Sequence, residues 1–253
     1  MAADFISRVS FTGGLSPDSY LCDLPVVKFL EKEKFMEFSA PVTFFVGENG
    51  SGKSTLLEAI AVCFGFNAEG GSKNFTFSTN KTHSELCEHL EITKKAHAKD
   101  GFFLRAESLY NVATDIEKMD DEEYEFLKPP KIITGYGGVS LHDQSHGESF
   151  LSIVQNRFFG NGIYILDEPE AALSPMRLLT LIAEIDALVK KNSQFIIATH
   201  SPILLAFPNA DILEFSGDGI HHANYKETEH YIVTKEFLNN PEKMLHYLLE
   251  TKN

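Results

Sequence analysis

Gly47-Glu48-Asn49-Gly50-Ser51-Gly52-Lys53-Ser54 decides the fold, because it fills every fixed position of the phosphate-loop pattern G-x-x-x-x-G-K-[ST]. The apolar stretch Val42-Thr43-Phe44-Phe45-Val46 leads into it, and the helix-prone Thr55-Leu56-Leu57-Glu58-Ala59-Ile60-Ala61 leads out. That strand, loop and helix order is the context the pattern requires. Glycines let successive backbone N–H groups turn inward at a helix start and form a nest for an anion. Lys53 is then placed to reach β- and γ-phosphates, and the Ser54 hydroxyl to ligate Mg2+. The stretch implies a nucleoside triphosphate site spanning Gly47 to Thr55.

Working outward, the 253-residue chain is long enough for one sizeable core, burying about 70–75% of its unfolded surface. Its net charge of −14 argues against a broad nonspecific nucleic-acid surface and leaves room for a local basic patch or a basic protein partner. Cys22, Cys63 and Cys87 are odd in number and follow no metal-ligand spacing, which suits a reducing, cytoplasmic setting. The opening residues, Met1 to Arg8, contain no apolar signal region, and no run of 18 apolar residues exists. Direct membrane insertion is therefore not expected.

Residues 1–46 read as short strands broken by turns at Thr12-Gly13-Gly14 and Ser16-Pro17-Asp18. A helix from about residue 54 to 64 is apolar nearly all round, which predicts burial between layers. Residues 84–98 fit an amphipathic helix with Leu86, Leu90 and Ile92 inward. Gly101-Phe102-Phe103-Leu104-Arg105 reads as a buried strand, and the acidic run from Glu117 to Glu125 as a solvated loop. A helical run follows at 150–159, then the strand Ile163-Tyr164-Ile165-Leu166-Asp167. Residues 175–191 carry apolar side chains at helical spacing, and Phe195-Ile196-Ile197-Ala198-Thr199 is a further buried strand. Two short strands at 211–215 and 220–225 and two helices at 233–238 and 241–251 complete the chain.

The strand 163–167 ends in two carboxylates, Asp167 and Glu168. After a phosphate loop, Asp167 at the strand tip is a candidate to hold Mg2+ beside Ser54. Strand side chains alternate, so Glu168 is expected to point the other way and to accept a proton from an attacking water. His200 follows a buried strand at the edge where open α/β sheets bind ligands, within reach of a γ-phosphate. His142 and His146 are four apart, but no third zinc ligand is evident.

From Lys53 to Ser145 is 92 residues, from Ser145 to Asp167 is 22, and from Asp167 to His200 is 33. That order and spacing resemble the ATP-binding-cassette (ABC) ATPases: Walker A, signature, Walker B, D-loop, switch histidine. Ser145-His146-Gly147-Glu148 looks like a variant of the signature Ser-Gly-Gly-Gln, and Ala171-Ala172-Leu173-Ser174-Pro175 sits where the D-loop belongs. More narrowly, 41–50, Phe102-Phe103-Leu104-Arg105-Ala106-Glu107-Ser108, 166–175 and Thr199-His200-Ser201-Pro202 resemble small stand-alone AAA-family ATPases of the RecF and SMC branch.

The resemblance implies an α/β, ABC-type P-loop NTPase fold with a mostly parallel core sheet, an N-terminal antiparallel β region and a small helical lobe. The whole chain, 1–253, is then one ATPase domain, with 1–72 and 160–253 as nucleotide-binding core and about 73–159 as inserted lobe. It implies ATP and Mg2+ as ligands, with Lys53, Glu168 and His200 in hydrolysis. It also implies an ATP-dependent homodimer in which Ser145, Gly147 and Glu148 of one copy meet the γ-phosphate held by the other. Ser145 and the helix start behind it are expected to be an anion site lacking its own anion. The family's Q-loop glutamine is missing, since the glutamines are Gln144, Gln155 and Gln194; Glu107 stands roughly in its place, toward the metal. His146 replaces a signature glycine. The alternatives are a transporter's nucleotide-binding subunit with a separate membrane partner, and a DNA maintenance or defence ATPase, which the net charge does not support.

Overall fold

The strands that read as continuous apolar runs do so because both faces of their sheet are covered. The computed structural model describes residues 5–73, 84–121 and 130–250. Its main sheet has six strands: β3 (Val42–Gly47), β5 (Asp100–Arg105), β6 (Gly162–Asp167), β7 (Gln194–Ala198), β8 (Asp211–Ser216) and β9 (Gly219–His222). Their order is β5-β6-β7-β3-β8-β9, all parallel except β9, which returns antiparallel along β8. Side chains alternate between two cores. Phe44, Phe102, Tyr164, Leu166 and Phe195 face one of them, and Phe45, Phe103, Ile163, Ile165 and Ile196 face the other.

The first core is closed by three helices, α3 (Leu109–Asp121), α4 (His146–Arg157) and α5 (Pro175–Lys190). The second holds α2 (Lys53–Phe64) between the main sheet and a small antiparallel sheet of β2 (Phe35–Glu37), β1 (Arg8–Phe11) and β4 (Leu90–Thr93), in the order β2-β1-β4. Burial on two sides explains why α2 is apolar nearly all round. Its Leu56, Leu57, Ala59, Ile60 and Ala61 are all buried.

Two elements correct the sequence expectation. The N-terminal region contains a helix, α1 (Pro25–Glu33), where short strands were expected. Pro25 sits in its first turn, where a missing N–H costs nothing, and Val26, Val27 and Leu30 form its buried face. The β-branched pair disguises it as a strand. The helix expected over 84–98 is instead a 3-10 turn, Glu85–His89, followed by β4. Leu90 and Ile92 fit a two-residue period as well as a helical one, and β1 supplies the deciding partner through Val9 opposite Ile92. The acidic run also differs: Glu117 to Asp121 lie in α3, and the remainder falls outside the described residues. Within 73–159, β4 and β5 join the two sheets, while α3 and α4 form the helical layer.

The C-terminal helices α6 (Glu229–Asn239) and α7 (Pro241–Glu250) pack on one another with largely exposed side chains, and α6 meets the body through His230. Because β3 has β7 on one side and β8 on the other, chain order reverses at β3, where ligands of open α/β sheets bind. The carboxyl ends of β3, β5, β6 and β7 therefore bring Lys53, Ser54, Glu107, Asp167, Glu168 and His200 toward one edge.

Candidate functional site

Gly47 ends β3, the segment Glu48 to Ser51 makes the turn, and Gly52 stands immediately before α2, whose first turn holds Lys53, Ser54 and Thr55. Gly47 and Gly52 are required by space as well as by their positive φ of 136° and 93°. A Cβ on Gly47 would lie 2.2 Å from the Phe215 carbonyl oxygen, and one on Gly52 2.4 Å from Val26 Cγ1. Helix α1 thus packs directly beneath the loop. Gly52, at the N-cap of α2, has no side chain to cap it, so the donors of its first turn are left for an external acceptor. Lys53 Nζ donates to the carbonyls of Gly47 and Glu48 at 2.7 and 2.8 Å. Burial lowers its pKa, while Glu168, Asp167 and Glu170 pull the other way. Ser51 Oγ is buried without a hydrogen-bond partner among the described residues. An inward lysine, an uncapped helix and an orphaned hydroxyl together fit a polyphosphate.

A cavity of about 470 Å3 opens beside this loop, lined by Ser54, Arg105, Glu107, His146, Asp167 and Glu168, among others. Ser54 Oγ donates to Asp167 Oδ1 at 3.1 Å. Burial pushes Asp167 up to about 6, against the opposing pull of Arg105 and Ser54; Glu168 and Glu107 add to the rise. Among the described residues no group of three or more His, Cys, Asp or Glu is arranged to hold a metal. A hydroxyl beside one carboxylate suits Mg2+, which keeps several waters and shares phosphate oxygens, and does not suit an all-protein cage. Glu107 stands on the cavity wall, its carboxylate bound by Arg105.

The expected opposite orientation of Glu168 is corrected. Strand β6 stops at Asp167, and Glu168 takes a left-handed backbone, φ 48° and ψ 54°, so both carboxylates line one cavity. Such a conformation is costly for a residue with a Cβ and collects at functional positions. Glu168 Oε1 lies 3.7 Å from His200 Nε2, a buried atom with no hydrogen-bond partner among the described residues. Burial, then Lys53 and His230, lower the pKa of His200 against the pull of Glu168.

Sequence reasoning missed the groups that hold these. The Glu170 carboxylate accepts from the His200 backbone N–H and, at 2.7 Å, from the Thr199 hydroxyl. His230, at the start of α6, meets His200 Nδ1 through Nε2 at 3.2 Å. Arg105 joins Glu58, Glu107 and Asp167. The signal for Arg105 was visible as a lone cation ending an apolar strand opposite Asp167.

The signature segment differs most from expectation. Of its residues His146 reaches the cavity, whereas Ser145, Gly147 and Glu148 are engaged with their own chain. The anion site expected to lack an anion already has one. The Glu148 carboxylate accepts from the Ser145 N–H at 2.9 Å and from the Ser145 hydroxyl. Those two bonds hold its pKa down, with Arg177 adding to the effect. Arg177 donates to Ser145 Oγ at 3.1 Å and to Glu148 Oε1 at 3.0 Å. Gly147 permits this, since a Cβ there would meet Arg177 Nη1 at 2.5 Å. His142 is occupied by Thr114 Oγ1 at 3.1 Å and by the Tyr110 ring.

Fold and motif arrangement are those of the ABC-type P-loop NTPase fold. A family model described as an AAA domain matches residues 26–159, and the chain belongs to that family. A second AAA-domain model, whose description includes AbiEii toxin and Type IV TA system, matches residues 139–206. Similar curated proteins include the xylose import ATP-binding protein XylG of Moorella thermoacetica, 24% identical over 81% of this chain and 42% of that relative. The tungstate uptake system ATP-binding protein TupC of Campylobacter jejuni is 24% identical over 81% of this chain and 67% of its own length. The chain thus spans about two fifths of the xylose-import relatives it matches, 42% and 41%. Among solved structures, MJ1267, an ATP-binding cassette of an ABC transporter, superposes with a TM-score of 0.53 at 18% identity, covering 98% of this chain and 99% of that one.

Proposed function

We propose that this chain binds ATP with Mg2+, hydrolyses it, and uses the bound nucleotide to close two copies together as a dimerisation switch. The observation that supports it best is the convergence of Ser54, Asp167 and Glu168 on one cavity beside the uncapped start of α2. In this reading Gly47, Glu48, Asn49, Gly50, Ser51 and Gly52 wrap the phosphates with backbone N–H groups, and Thr55 extends the cradle. Lys53 leaves the loop carbonyls for the β- and γ-phosphates. Ser54 and Asp167, with Glu107 nearby, would hold Mg2+, which would supply neutralisation of the phosphate charge. Glu168 takes the proton of a water as its oxygen bonds to the γ-phosphorus and the bond to ADP breaks. His200, neutral near pH 7 because its pKa is lowered, positions Nε2 toward Glu168 and the transferred group.

The second copy supplies the Ser145 hydroxyl and the backbone N–H groups of Gly147 and Glu148 to the γ-phosphate. For that, Glu148 releases Ser145, and Arg177 is the cation left beside the incoming phosphate. Hydrolysis removes the group that both copies share, and the pair opens. Steady-state ATPase assays on the wild type and Glu168→Gln test the reading. Wild-type turnover that depends on Mg2+ and is lost in the variant while nucleotide binding persists supports it. Equal turnover in both sinks it.

A second reading is favoured by the names of the relatives, which are import ATP-binding proteins. In it, this chain drives a separate membrane subunit from the cytoplasmic side. No helix among the described residues is long and apolar enough to cross a membrane. Co-purification of the Glu168→Gln chain with a membrane protein from detergent extracts, in an ATP-dependent manner, supports this version; purification free of any such subunit opposes it.

A further inference from the structure

We infer that Arg105 is a resident counter-cation that keeps a divalent metal away from Asp167 and Glu107 until nucleotide arrives, so that metal and nucleotide enter together. The inference rests on the ATPase reading above. Register pairing of β5 and β6 sets Arg105 directly across from Asp167 at the carboxyl edge of the sheet. Its guanidinium is bracketed by three carboxylates. Nη1 donates to Glu58 Oε2 at 2.8 Å, Nη2 donates to Glu107, and Nε lies 3.5 Å from Asp167 Oδ2. The side chain is only 16% exposed, and Glu58 and Asp167 are 15% and 7% exposed, so these charges act on one another with little screening by water.

The Nε contact is informative. That atom is buried, and Asp167 is near enough for an ion pair but not aligned as a hydrogen-bond acceptor. Asp167 spends its other oxygen on Ser54. The carboxylate is thus turned toward the hydroxyl with which it would share a metal, and a fixed positive charge stands behind it. A divalent cation entering alone would have to displace the guanidinium from Asp167 and Glu107 to reach their oxygens. A triphosphate brings several negative charges to the same cavity and reverses the balance. Glu58 sits four residues after Ser54, one turn further along α2. It therefore anchors the guanidinium to the helix that carries Ser54. Arg105 is in this sense a positioning residue, acting through Asp167, Glu107 and α2.

Mn2+ serves as the probe, its free fraction read by electron paramagnetic resonance. Wild-type protein is expected to bind Mn2+ at least about fivefold more weakly without nucleotide than with ADP. Arg105→Gln, which can still donate to Glu58, is expected to bind Mn2+ without nucleotide about tenfold more tightly than wild type. Arg105→Lys, keeping the charge, should stay close to wild type. Unchanged or weaker nucleotide-free binding in a folded Arg105→Gln overturns the inference. Should that variant not fold, the wild type decides alone: Mn2+ bound equally well with and without ADP overturns it. Failure of the wild type to bind ADP or ATP at all rejects the ATPase reading, whereas normal nucleotide binding with an unresponsive Arg105→Gln rejects only the role of Arg105.

Discussion

Two helix starts, those of α2 and α4, are treated in opposite ways by the sequence. Helix α2 begins after Gly52 with no side-chain cap, and a lysine folds back over the loop. Helix α4 begins at Ser145 with a capping box closed by Glu148 and braced by Arg177, 32 residues away. An uncapped start leaves N–H donors open to water or to an anion; a capping box satisfies two of them from within the chain. The first is a site in waiting and the second is latched. A nucleotide could therefore be gripped by the loop before a second copy engages it, which gives the proposed switch an order of events.

The largest expected effect breaks the first half of the comparison. Glu168→Gln should lower hydrolysis by about 10²–10⁴-fold with ATP binding kept, measured by phosphate release and by calorimetry. If binding falls in parallel, Glu168 serves the ligand and not the water. Next, Glu148→Gln removes the internal anion from the second half. ATP-dependent association of copies is expected to tighten about three- to tenfold, since a carboxylate no longer competes with the incoming phosphate. Unchanged association would mean that the latch opens at no cost.

A third prediction concerns the burial of Asp167. Its folded pKa, about 6, lies above its ordinary 3.8, so the folded state holds a proton that the unfolded state releases across that window. Stability from this group is fully present below about pH 3.8 and is lost as pH rises through about 6. In metal-free buffer at pH 7.5, Asp167→Asn should therefore be more stable than wild type by about 1–3 kcal/mol. The gap should close as pH falls toward 4, which thermal melts of both proteins can follow. A variant less stable than wild type at pH 7.5 would show that ionised Asp167 is held by Arg105 and Ser54 more strongly than burial opposes it. The smallest effect is expected at His230. Removing its hydrogen bond to His200 in His230→Ala should slow hydrolysis about two- to tenfold with little change in nucleotide affinity.

The same contrast explains what the sequence could disclose. The phosphate loop, β6 with Asp167, and the buried strand before His200 are contiguous patterns, each interpretable within ten residues. Their meeting follows from a parallel sheet whose loops share one edge. The latch on α4 was hidden because Arg177 comes from another helix, and Gly147 looks like a ligand-facing glycine when its space is taken by that arginine. The turn of Glu168 into the cavity was hidden too, since its left-handed backbone depends on the chain leaving β6 at Pro169. Helix α1 escaped because a Val-Val pair fits a strand locally, and only contact with Gly52 and the second core reveals its helical face. The links of Arg105 to Glu58 and of His200 to His230 span 47 and 30 residues and leave no periodic trace.

Sedimentation velocity of the Glu168→Gln protein at micromolar concentration, with and without ATP and Mg2+, examines most directly whether one nucleotide is shared by two copies. A shift from a single-chain species to twice that mass on adding ATP and Mg2+, abolished by a Ser145→Arg change in the same background, is the expected result. A single-chain species that binds ATP yet never pairs would contradict it.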